Sequence, residues 1–74
     1  MNEELFRTSL AGILKVAPES LTMESRLDKQ EAWDSMAVVT FLSLASAKFG
    51  IRLSPPKVIN SKTVGDLAKL LQPR

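Results

Sequence analysis

With 74 residues, no Cys and no His, the chain is confined to one small domain that has no disulfide scaffold, thiolate metal site or serine–histidine catalysis. Apolar residues make up 45%, which suits a compact helical fold with a modest core rather than a disordered chain. The net charge of +2 hides an asymmetry: residues 1–34 carry seven acids and four bases, net −3, and residues 35–74 carry six bases and only Asp66, net +5.

The start, Met1-Asn2-Glu3-Glu4, has no basic n-region and no long apolar run. It reads as neither a signal peptide nor a membrane span, so the expected location is the cytoplasm. Residues 2–16 read as the first helix. Asn2 is placed to cap it, and Glu3 and Glu4 suit its positive end. Phe6, Leu10, Ile13 and Leu14 form one apolar stripe, and Pro18 ends the pattern.

Residues 17–34 form a long connection with scattered apolar residues, Leu21, Met23, Leu27 and Trp33, that follow no clean period. Loops this long in so small a domain are often functional. These side chains are expected to pin the loop across the helices, and Trp33 is expected to pack it rather than bind a ligand.

Residues 35–49 read as the second helix, capped by Asp34 or Ser35, with Gly50 where a left-handed residue is expected. Val38, Phe41, Leu42, Ala45 and Phe49 share the core face. The opposite face holds Met36, Thr40, Ser43 and Ala47, flanked by Val39 and Leu44, and carries no charge until Lys48. Such a face is either a docking surface or a seat for the long loop.

Residues 51–54 form an extended link. Ser54-Pro55 starts a short helix over 55–60 that holds Val58 and Ile59. Thr63-Val64-Gly65-Asp66 has the form of a capping box with Asp in the Glu place. The last helix runs 64–71, with Val64, Leu67, Leu70 and Leu71 on one face, and Pro73 stops it. The expected fold is all-α: a small four-helix bundle of three main helices, a short third one and a long first loop, in a single domain over 1–74.

Ser35 stands where a helix presents free N–H groups and a partial positive charge, a place that suits a phosphorylated serine. The chain offers it no histidine base. The residues therefore leave two readings, an attachment point modified by another enzyme or a plain N-cap.

The order of these segments resembles the acyl carrier protein family over roughly residues 3–71. The family's marker is Asp-Ser-Leu at the start of the second helix, and it reads Asp34-Ser35-Met36 here. Three residues alone are a weak match. The fourteen-residue spacing from Ser35 to Phe49, the Thr63-Val64-Gly65-Asp66-Leu67 segment and the total length strengthen it.

The resemblance implies that Ser35 receives 4′-phosphopantetheine from coenzyme A through a phosphopantetheinyl transferase. Asp34 would orient Ser35, and Met36 would insert into a partner's pocket. The arm's thiol would hold an acyl group as a thioester for a loading enzyme, a synthase or an acyltransferase. The protein would be a monomeric carrier and no enzyme, and the family's core can part to admit an attached chain. Partners would dock on Met36, Val39, Thr40, Ser43 and Ala47.

One departure bears on the pathway. Carriers of fatty-acid synthesis are strongly acidic along the second helix, yet no acid lies between Ser35 and Asp66 here. The expectation is a specialised carrier serving a secondary-metabolite, polyketide or cell-surface lipid or polysaccharide pathway. An aminoacyl or peptidyl carrier and an unmodified docking module are the alternatives. A nucleic-acid-binding domain fits poorly, because Lys48, Arg52, Lys57, Lys62 and Lys69 lie on different elements without interleaved aromatics.

Overall fold

The computed structural model describes residues 2–71. It contains four α-helices: α1 (Glu3–Leu14), α2 (Ser35–Phe49), α3 (Pro55–Ile59) and α4 (Val64–Leu71). Among the described residues there are no strands, only one isolated antiparallel bridge between Arg26 and Thr63. The all-α bundle with a long first loop is therefore the observed architecture.

Asn2 caps α1 by accepting the Leu5 N–H at 3.0 Å. The helix ends at Leu14, two residues before the expected end at 16. Lys15 takes a left-handed conformation (φ 61°), and the Lys15 and Val16 N–H groups both donate to the Ala11 carbonyl. This local closure satisfies an end carbonyl and turns the chain well before Pro18.

The long loop is ordered by two 3₁₀ turns, Pro18–Ser20 and Leu27–Lys29. Leu21 and Leu27 are buried, as expected, but Met23 is not a core residue. It anchors the loop through its backbone: the Met23 carbonyl accepts the Gly65 N–H at 2.8 Å. Two further bonds, Leu27 N–H to the Lys62 carbonyl (2.8 Å) and Val64 N–H to the Ser25 carbonyl (2.9 Å), clip the loop to the start of α4. Main-chain pairing does what an apolar pattern cannot announce, since it needs no particular side chain.

Gly50 ends α2 with φ 66°, the left-handed geometry that favours glycine. In α3, Val58 is fully buried whereas Ile59 is 62% exposed. At the start of α4 the capping box forms: the Thr63 hydroxyl oxygen accepts the Asp66 N–H, and the Asp66 carboxylate accepts the N–H groups of both Thr63 and Lys62. Val64, Leu67, Ala68 and Leu71 are buried, and Leu70 is only partly so. The expected stop at Pro73 lies outside the described residues.

The core joins Phe6, Leu10 and Leu14 of α1 to Phe41 and Ala45 of α2, Val58 of α3 and the inner face of α4. Phe6 and Phe41 meet edge to face, with centroids 6.4 Å apart. Ile13, Leu42 and Phe49 pack at its margin and are half-buried.

Candidate functional site

The site is built on the turn that leads into α2. The Trp33 N–H donates to the Gln30 carbonyl (3.1 Å), and the Asp34 N–H donates to the Ala32 carbonyl (3.0 Å). Asp34 is extended, and its carboxylate accepts the Ala37 N–H at 2.9 Å. Of the two candidate caps, Asp34 is the N-cap and Ser35 is the first helical residue. Ser35 is exposed, and among the described residues its hydroxyl has no hydrogen-bond partner. The Ser35 and Met36 N–H groups are likewise free of protein acceptors among the described residues. These open donors, at the positive end of a fifteen-residue helix, fit a phosphate on the adjacent hydroxyl.

Ser35 opens onto an apolar groove of about 520 Å³ between α2 and α3. Val38, Val39 and Leu42 line it from α2, and Pro55 and Ile59 line it from α3. Trp33 lines it from the loop, with Asp34 and Ser35 beside it. The Trp33 ring also meets Phe41 edge to face, with centroids 6.3 Å apart. Trp33 thus packs the loop, as expected, and forms a wall of the groove as well. The wheel of α2 puts Val38 and Leu42 on the core face, and their periodicity gives no groove. The available signal was Ile59, an apolar residue one turn after Pro55 on a helix too short to bury both sides of itself.

The outer face of α2 is open. Met36 is 70% exposed and Val39 55%, and Thr40, Ser43 and Ala47 are exposed beside them. The long loop does not cover this face, and of its flanking residues only Leu44 packs at the core margin. The Thr40 hydroxyl donates back to the Met36 carbonyl at 2.9 Å, so its polarity is turned onto the helix itself.

Between Ser35 and Asp66 the charged residues are Lys48, Arg52, Lys57 and Lys62, all exposed. Among the described residues the ion pair is Arg26–Asp28 (2.8 Å), on the surface where such pairs contribute little. The Asp66 carboxyl titrates below the ordinary aspartate value. The backbone N–H of Lys62 is the main cause, followed by that of Thr63. Among the described residues no helix is long and apolar enough to cross a membrane.

A family model described as "Phosphopantetheine attachment site" matches residues 4–71. The acyl carrier protein of Renibacterium salmoninarum is 33% identical over 72 residues, covering 88% of this chain and 84% of that protein. No solved structure gives a significant match. The family match spans all four helices and the turn that bears Ser35. The chain therefore belongs to the acyl carrier protein family, carriers rather than catalysts, whose cofactor is 4′-phosphopantetheine.

Proposed function

We propose that Ser35 carries the phosphopantetheine arm and that the chain, acting as one carrier domain, presents thioester-bound acyl groups to the enzymes of a specialised pathway. The observation that carries this reading is the free, exposed Ser35 hydroxyl at the first position of α2, between the capping Asp34 and the protruding Met36. Transfer forms a phosphodiester bond at the Ser35 oxygen and breaks the diphosphate bond of coenzyme A, releasing its nucleotide half. The proton leaves to a base of the transferase, since this chain holds no histidine. Asp34 holds the turn that presents the serine. The arm supplies the single thiol of a chain without cysteine.

The specialised pathway is supported by charge. Met36, Val39, Thr40, Ser43 and Ala47 offer partners an uncharged surface, and the exposed charges from Ser35 to Gly65 are all cations. Partners that recognise acidic carriers with Lys and Arg meet no complement here, which lowers encounter rate and selectivity. Intact mass after incubation with coenzyme A and a broad-specificity phosphopantetheinyl transferase tests the attachment. A salt titration against a housekeeping ketosynthase tests the pathway: weak binding is expected, and tight, salt-sensitive binding overturns the specialised assignment.

A further inference from the structure

We infer that the docking face runs on from α2 across α3 to Lys62, and that the partner meets it with carboxylates, one of them set against Lys62. This inference rests on the reading of the open α2 face as the place where partners dock. The large apolar side chains that stand exposed among the described residues are Met23, Met36, Val39 and Ile59. Three of these gather near Ser35. Met36 follows it in the chain, and Val39 and Ile59 line the groove onto which it opens. Exposed apolar groups gathered in this way mark an interaction surface.

Ile59 carries that surface past α2. It also lines a second depression of about 400 Å³, together with Arg26, Asp28 and Lys62. The surface is therefore continuous from Ser35, over Val39 and Ile59, to Lys62. Two of its charges cancel: the Arg26 Nε and Nη2 groups donate to the two Asp28 carboxylate oxygens at 3.2 and 2.8 Å. Lys62 has no ion-pair partner among the described residues. Its backbone N–H donates to the Asp66 carboxylate, which fixes the main chain and leaves the ammonium outside that bond. The other charges between Ser35 and Asp66 are Lys48, Arg52 and Lys57, so no acid of this segment offsets it.

An apolar patch edged by an unpaired ammonium is complementary to a protein surface with an apolar centre and an acidic rim. A lipid surface fits less well, since its recognition takes clusters of about four to eight Lys or Arg. The cations here are spread over α2, the link that follows it, α3 and the turn before α4.

The test uses the unmodified protein, so it does not depend on attachment at Ser35. Its probes are a housekeeping ketosynthase whose carrier dock presents Lys and Arg, and the same enzyme with those residues replaced by Glu. At low salt the parent is expected to bind the Glu dock about tenfold tighter than the native dock, with the gap closing as salt rises. Lys62→Glu should abolish or reverse this preference, and Lys62→Gln should abolish it. Lys48→Glu changes the net charge equally but should keep the preference. Lys48 lies nine residues from Val39, about two and a half turns, and so on the opposite side of α2. Ile59→Ala should weaken binding to the Glu dock about tenfold. Equal affinity for the two docks overturns the proposal, as does a Lys48→Glu effect equal to that of Lys62→Glu. Binding to anionic phospholipid vesicles without a preference between the docks also overturns it and assigns the face to a membrane. Amide shifts of labelled carrier on binding the Glu dock locate the contact. Shifts at Met36 and Val39 without Ile59 and Lys62 confine the dock to α2 and overturn this inference alone. Shifts at none of the four overturn the reading of the α2 face as well.

Discussion

The Asp34 carboxylate accepts the Ala37 N–H at 2.9 Å, and this one bond separates the structural role at the mouth of α2 from the chemical one. Because Asp34 caps the helix, the neighbouring hydroxyl is free. Asp34→Ala should therefore cost about 1 kcal/mol of stability, the usual worth of an N-cap. Ser35→Ala should change stability by no more than about 0.5 kcal/mol, as for an exposed position without partners. Urea midpoints of the two variants measure the difference, and the opposite order would reassign the cap to Ser35.

Two helical glycines should respond to alanine with opposite signs. A Cβ on Gly65 would lie 2.9 Å from the Met23 carbonyl oxygen, the atom that anchors the long loop. Backbone cannot yield as a flexible side chain does, so Gly65→Ala should cost about 1–3 kcal/mol. Gly12 lies in α1 with nothing within 4 Å of its Cβ position. There the better helix propensity acts alone, and Gly12→Ala should stabilise by up to about 1 kcal/mol. Thermal midpoints of the pair test both signs.

Phe41 and Phe49 both fall on the core side of α2, yet only Phe41 is fully buried. Phe41→Ala should cost about 3–5 kcal/mol, which in a domain this small can unfold the chain. Phe49→Ala should leave a folded protein with a distinctly smaller loss, because the side chain packs at the core margin. Equal losses in chemical denaturation would contradict that placement.

Asp66 ties acid stability to the start of α4. Its folded value is lowered by the Lys62 and Thr63 N–H groups, so the folded state favours the carboxylate. The resulting stability is fully present above the ordinary aspartate value of about 3.9 and is lost as pH falls through the lowered folded value. Urea midpoints should fall for the parent below about pH 4, and part of that fall should be missing in Asp66→Asn. A parent and variant that lose stability in parallel would show that the capping box does not report pH.

Much of this fold is legible in the sequence because it rests on local signals. The α2 boundaries follow from Asp34 and Gly50, and the α4 start follows from Thr63 and Asp66, since each forms its bonds within a few residues of itself. α1 ends two residues earlier than its pattern predicts because Lys15 adopts a left-handed conformation that no glycine announces. Met23 reads as a packing residue, but its anchoring contact is a carbonyl, which composition does not encode. The groove is not legible in the sequence for a related reason. It arises where α3 crosses α2, and Pro55 and Ile59 acquire their role only from that tertiary approach. Ser35 is legible as a serine at a helix mouth, and the Asp34–Ala37 bond decides which of Asp34 and Ser35 caps the helix.

Intact mass shows whether Ser35 carries the arm. The protein and Ser35→Ala are each incubated with coenzyme A and a broad-specificity phosphopantetheinyl transferase, next to an active control carrier. The expected result is a gain of one phosphopantetheinyl group in the parent, with the appearance of one reactive thiol, and no gain in Ser35→Ala. A folded parent that gains no mass, or a Ser35→Ala variant that gains it, would rule out Ser35 as the attachment point.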